Sequence, residues 1–297
     1  MRPWLAALLT LCLTASNCRL QSESSFDGER AHFYLKAQCD FGPRVPGSAG
    51  HQETLDYLKS ELRRFTTLVK LQSFSALNPV SQQEVKLTNL QATFYPELEE
   101  RILLCAHWDS RPWADKDSDS AKRNTPVLGA NDGASGVAVL LHLAEIVSKK
   151  KPNYGVDLVF FDGEDMGKEG YPESYALGSQ YFAQNLSNYF PRLAILLDMV
   201  GDKDLKIYQE QYSNQYAPET VREIWDRARR LKLDCFVDSV GYAVWDDHLP
   251  LLQRGIPCAD IIDFDYPYWH TTQDTEDKCS AESLEKIGRL LVSILYD

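Results

Sequence analysis

Residues 156–165 read Val156-Asp157-Leu158-Val159-Phe160-Phe161-Asp162-Gly163-Glu164-Asp165, an apolar run broken only by Asp157 that stops in a knot of carboxylates. Near-continuous apolar runs of this length mark strands buried on both faces, as in parallel sheets covered by helices. The pattern recurs. Ile102–Ala106 runs into His107-Trp108-Asp109-Ser110, Leu193–Leu197 ends at Asp198, and Cys258–Ile262 leads to Tyr268-Trp269-His270-Thr271. Between these runs the apolar spacing turns helical. Gly133–Lys150 carries Val137, Leu140, Leu141, Ala144 and Val147 on one side, and Leu177–Leu186, Pro218–Leu231 and Ala281–Tyr296 also read as helices. Upstream, helices are expected over Phe26–Gln38 and over Ser48–Phe65, with Leu55, Leu58 and Leu62 in phase; strands are expected over Val69–Leu77 and Glu84–Phe94. Strands alternating with helices predict a three-layer α/β fold: a central mixed, mostly parallel twisted sheet with helices on both faces.

The chain has 297 residues, 44% of them hydrophobic, and a net charge of −12. That length supports one large core hiding roughly 75% of the unfolded surface. No linker or repeat interrupts it, so residues 19–297 are expected to form a single catalytic domain. Nucleic-acid binding is excluded for want of a basic stripe; Lys149-Lys150-Lys151 reads as a solvated helix end.

Residues 1–18 read as an export signal: Arg2, an apolar stretch from Trp4 to Leu13, then Thr14, Ala15 and Ser16. Cys18 stands where a bacterial lipoprotein is acylated, although Asn17 is unusual before such a cysteine. The expectation is an exported protein, periplasmic, secreted or tethered through Cys18, of bacterial type, and a monomer. Of the seven cysteines, five lie beyond the signal, and none shows CxxC spacing. Cys105 and Cys258 fall in apolar runs and read as small core residues; one disulfide is permitted and none is demanded.

Chemistry-bearing residues gather just past the buried strands, where open α/β sheets bind ligands: Glu164, Asp165, Asp198 and His270, with Asp132 opening the helix after the long polar stretch from Trp108 to Thr125. A loop of that length inside a compact domain is functional or disordered. Each residue also has an ordinary reading. Asp132 suits a helix N-cap, Glu164 and Asp165 suit solvated loop positions, and His270 suits the surface. Asp198, directly after five apolar residues, is harder to dismiss, because a buried carboxylate needs a partner. Two carboxylate oxygens and one imidazole nitrogen make a three-ligand zinc set with one open position. The sequence has no GxSxG elbow, no phosphate-binding GxxxxGK[ST] loop and no HExxH helix. Gly178-Ser179 reads as a helix start with Ser179 as its cap.

His107-x-Asp109-Ser110, Gly129-Ala130-x-Asp132-Gly133-Ala134-Ser135-Gly136, Phe160–Asp165, Leu177-Gly178-Ser179, Leu197-Asp198-Met199-Val200-Gly201 and Trp269-His270-Thr271 together resemble the zinc aminopeptidase-like superfamily. With Phe41–Ser48, the resemblance covers nearly the whole exported chain. Within that superfamily the sequence is most similar to glutaminyl cyclases of the animal type and their bacterial relatives, which turn N-terminal glutamine into pyroglutamate with loss of ammonia. Trp269 before the histidine, Asp246 opening Asp246-Asp247-His248-Leu249-Pro250, and Glu164-Asp165 in place of a Glu-Glu pair carry that preference. A shorter second acid requires a small backbone shift to keep zinc–oxygen distances near ~2.0–2.2 Å.

The resemblance implies one zinc held by Asp132, Asp165 and His270, Glu164 as proton shuttle, Asp198 and Asp246 in a hydrogen-bond network with it, and Trp269 as the wall beside the substrate glutamine. It implies His107 as a supporting or packing residue. The substrates implied are peptides or proteins with N-terminal glutamine. Trp108 and Trp113 fit either the entrance of the site or ordinary anchoring. Two rival functions remain on the same fold. One is a secreted di-zinc aminopeptidase, for which His107 and Asp198 stand at the extra ligand positions. The other is a catalytically silent binding protein, disfavoured because every position needed for metal and proton transfer is filled.

Overall fold

The computed structural model describes residues 26–297, so the expected export signal over residues 1–18, with Cys18, lies outside the described residues. In chain order the elements are helices α1 (Gly28–Cys39) and α2 (Ala49–Phe65), strands β1 (Val69–Leu77), β2 (Glu84–Phe94) and β3 (Arg101–His107), helix α3 (Ala134–Lys149), strand β4 (Gly155–Phe161), helix α4 (Leu177–Gln184), strands β5 (Leu193–Asp198) and β6 (Ile207–Gln209), helices α5 (Gln211–Tyr216) and α6 (Pro218–Leu231), strand β7 (Phe236–Val240), helix α7 (His248–Gln253), strand β8 (Cys258–Ile262) and helix α8 (Ala281–Tyr296).

Six strands form one sheet in the order β1-β2-β4-β3-β5-β8. β4, β3, β5 and β8 run parallel, while β2 pairs antiparallel with both β1 and β4. The pleat sends successive side chains to opposite faces, and both faces are apolar. Ile102, Leu104, Ala106, Leu158 and Phe160 enter one cluster with residues of α1, α3 and α8. Leu103, Cys105, Val159 and Phe161 enter another, against Phe182 of α4 and Leu251 of α7. Each buried Leu or Phe contributes about 1.5–3 kcal/mol, so helices must cover both sides. This is the mixed three-layer α/β architecture expected from the sequence.

Local corrections follow from hydrogen bonding. Asp132 does not cap α3; Gly133 occupies the N-cap position and no side chain bonds there. Ser179 is not the cap of α4 either. Ala176 is, in a left-handed conformation, and Ser179 sits inside the first turn donating to the Ala176 carbonyl at 3.1 Å. α4 also ends at Gln184, two residues before the expected Leu186. β6, α5, β7 and α7 have no counterpart in the sequence reading; each has six residues or fewer, too short for a period to register. The five described cysteines are buried and free, so no disulfide forms among them. No described helix is long and apolar enough to cross a membrane.

Parallel strands leave β3, β4, β5 and β8 with their carboxyl ends on one side, where His107, the segment 162–165, Asp198 and the segment leading to His270 emerge.

Candidate metal centre and acid network

Asp132, Asp165 and His270 come together, each offering a ligand atom within 4.8 Å of the others, and all are buried. His270 Nε2 lies 3.0 Å from Asp165 Oδ1 and 3.8 Å from Asp132 Oδ2. Asp132 Oδ2 and Asp165 Oδ2 are buried and accept no hydrogen bond. Buried carboxylate oxygens without donors are satisfied by a cation or by a proton. Two carboxylates and one imidazole suit zinc and leave one position for water or substrate. Burial, and then the Asp165 charge, push the Asp132 carboxyl up to about 7. At Asp165 burial works in the same direction but is outweighed by His270 and Arg111, which hold that carboxyl at about 2.

The ligands stand in a frame of carboxylates that the sequence reading gave no role. Asp109, fully buried, accepts the backbone N–H groups of Glu164 at 3.1 Å and Asp165 at 3.2 Å. Asp274 accepts those of Asn131 at 2.8 Å and Asp132 at 3.1 Å, with the Tyr266 hydroxyl at 2.8 Å. These two acids fix three of the site's carboxylates through their main chain. Asp109 was in view as part of the His107 motif; Asp274 lies four residues past His270 and no motif marks it.

The polar stretch after β3 is ordered, and it serves the site. Arg111 donates to the Asp165 carbonyl at 3.0 Å and to its Oδ1 at 3.3 Å, while forking onto Asp115. Asp115 in turn lies 3.4 Å from His270 Nδ1. Trp108 is fully buried, stacked on His51 and donating to the Thr88 carbonyl, so it anchors the fold and does not reach the entrance. Trp113, half-buried, lies over the Arg111 guanidinium. Gly133 is required where the chain enters α3. Its φ is +94°, and an added Cβ would lie 2.6 Å from the Asp109 carbonyl oxygen and 3.0 Å from His107 Cε1.

Glu164, Asp198 and Asp246 line the same cavity as the three ligands. Burial raises the Glu164 carboxyl well above the usual range, and Asp165 and Asp246 add to it. Asp246 is raised likewise by burial and then by Asp198. Asp247, absent from the expected set, is fully buried behind them and is pushed up to about 7 by burial. His107 Nε2 lies 3.1 Å from Asp132 Oδ1 and 3.1 Å from Asp198 Oδ1. His107, Asp132 and Asp198 therefore form a second group of ligand type beside the first.

The cavity holds about 240 Å³. Trp269 lines it with Val244, Ile262 and Phe264, and its indole stacks on the His270 ring at 3.8 Å. One apolar wall thus faces a cluster of acids.

Fold and site together define the class: an α/β protein of the zinc aminopeptidase-like architecture, with its ligand set at the carboxyl ends of parallel strands. Residues 89–295 match the model of peptidase family M28. The chain belongs to that family. A glutaminyl-peptide cyclotransferase-like protein of Bos taurus is 28% identical over 283 residues, covering 86% of this chain and 72% of its own. The crystal structure of Tannerella forsythia glutaminyl cyclase superposes with a TM-score of 0.88 at 40% identity, over 92% of this chain and 99% of that one. A Zn-dependent exopeptidase from Parabacteroides distasonis gives 0.87 at 38%, again over 92% and 99%.

Proposed function

We propose that this chain is a glutaminyl-peptide cyclotransferase, joining the α-amino nitrogen of an N-terminal glutamine to its own side-chain amide carbon and releasing ammonia. The observation that carries the reading is Glu164: a buried carboxyl lining the same cavity of about 240 Å³ as the candidate ligands Asp132, Asp165 and His270 and the indole of Trp269. The likeness to glutaminyl cyclases over nearly the whole chain supports it.

In this reading Asp132, Asp165 and His270 would hold a zinc, which when bound would supply Lewis-acid polarisation of the glutamine side-chain carbonyl. Trp269 flanks the side chain with an apolar surface that keeps water away. Glu164 takes a proton from the α-amine and returns it to the departing nitrogen, a double duty that favours a carboxyl tuned towards neutrality. Asp246 adds to the raised proton affinity of Glu164, and the Asp198 charge acts in turn on Asp246. Anions held close resist joint ionisation, so Glu164 and Asp246 do not both ionise freely. The attack is intramolecular, and the cavity's task is to hold the side chain folded back on the amine.

The ligand types alone do not separate one zinc from two, because His107 Nε2 lies 3.1 Å from both Asp132 Oδ1 and Asp198 Oδ1. The preference for one zinc rests on Asp246 and Trp269, which line the cavity beside the candidate ligands. The rival di-zinc aminopeptidase draws on the same group, since those three residues are of ligand type. Glu164→Gln separates the roles: it should keep zinc while losing about 10²–10⁴ of turnover, and unchanged turnover would remove Glu164 from the reaction. We further propose that residues 19–297 act as one catalytic domain, exported by the signal at residues 1–18.

A further inference from the structure

A second cavity, of about 410 Å³, adjoins the site. Trp245 lines both cavities, and it is 42% exposed, a large indole left at the surface between them. Beyond Trp245 the groove passes between Ala183 and Gln184 on the α4 side and Leu249 and Gln253 on the α7 side; its charged residues are Glu173 and, just past the end of α7, Arg254. Aromatic and apolar side chains supply contact area, and the exposed carboxamides of Gln184 and Gln253 both donate and accept hydrogen bonds, as a peptide backbone requires. Arg254 donates to the Leu186 carbonyl at 3.1 Å, which fixes its guanidinium over the α4 side.

We propose that this groove is an extended substrate subsite that binds the polypeptide downstream of the cyclising glutamine and favours an acidic side chain at its Arg254 end. The inference rests on the cyclase reading. A cavity of about 240 Å³ takes the glutamine side chain, and the chain that follows must leave past the rim, where Trp245 leads into the groove. α7 has six residues, about 9 Å of helix, which an extended peptide covers with about three residues. The acidic side chain therefore belongs at about the fourth or fifth position of the substrate.

The test compares kcat/KM for three peptides, Gln-Ala, Gln-Ala-Ala-Ala-Ala-Ala and Gln-Ala-Ala-Glu-Glu-Ala, in the wild type, Arg254→Glu and the double variant Gln184→Ala, Gln253→Ala. Gln184, Gln253 and Arg254 are surface residues outside the reaction cavity, so the dipeptide should stay within about twofold in every variant. Arg254→Glu should cost the acidic hexapeptide about three- to tenfold relative to the alanyl one. The double variant should cost both hexapeptides about fivefold. Equal losses for dipeptide and hexapeptides, or hexapeptides unaffected by any variant, would overturn the subsite. A wild type that leaves the dipeptide uncyclised would overturn the cyclase reading, and the subsite with it.

Discussion

Replacing Asp109 by Asn should damage the metal centre from a position that touches neither metal nor substrate. Both of its carboxylate oxygens are occupied, one by the Glu164 N–H at 3.1 Å and the other by the Asp165 N–H at 3.2 Å, in a fully buried setting. An amide of the same shape keeps one acceptor and turns an N–H donor towards the other backbone N–H. A hydrogen bond to a charged group is worth about 1.5–3 kcal/mol, so Asp109→Asn should forfeit roughly that amount. For a chain of this size it amounts to a fall in melting temperature of roughly 3–5 °C. Asp109→Ala loses both bonds, about 3–6 kcal/mol, a large share of the 5–15 kcal/mol typical of a domain, and should fold poorly. Because the two donors belong to Glu164 and Asp165, the proposed proton shuttle and one of the proposed ligands, Asp109→Asn should also weaken zinc at least about tenfold, as loss of a supporting partner does. Calorimetry and metal titration on the same preparation read both effects. A variant with wild-type melting and wild-type zinc affinity would refute the reasoning.

Gly133→Ala places a Cβ 2.6 Å from the Asp109 carbonyl in a left-handed conformation, and should cost at least about 1–3 kcal/mol from strain alone; chemical denaturation midpoints check this, and a neutral result would contradict the geometry. The pH dependence of stability should show Glu210, the carboxyl that caps α5. Burial opposes its ionisation, but His248 and the amides of Ser213 and Tyr212 outweigh that and hold it at about 2 instead of 4.5. A depressed carboxyl contributes stability that is present above its unfolded value and lost as pH falls through the folded one. The stability gap between wild type and Glu210→Gln, measured by urea unfolding, should therefore be full above about pH 5 and close towards pH 2; a gap independent of pH would refute it.

The strand ends were legible because burial on both faces leaves an unbroken apolar run, and Phe161, Leu197 and Ile262 each mark the point where such a run stops. That placed Glu164, Asp165 and Asp198 at one rim. The division of labour among the acids was not legible. Asp109 and Asp274 are chemically identical to Asp132 and Asp165, and differ only in which backbone N–H groups the fold presents to them across 55 to 143 residues. A cap and a ligand likewise look the same in sequence; here Gly133 holds the cap position and Asp132 lies in the site. α7, which begins two residues after Asp246, contains Pro250 and has only six residues, so the pairing of its His248 with Glu210, 3.1 Å apart and wholly buried, had no local signature.

The most direct test incubates the zinc-loaded protein with glutaminyl and leucyl dipeptides, while metal analysis counts ions per chain. The account predicts ammonia and a pyroglutamyl product from the first, an intact second, and close to one zinc. Free leucine from the second peptide together with close to two zincs would contradict it and identify a di-zinc aminopeptidase.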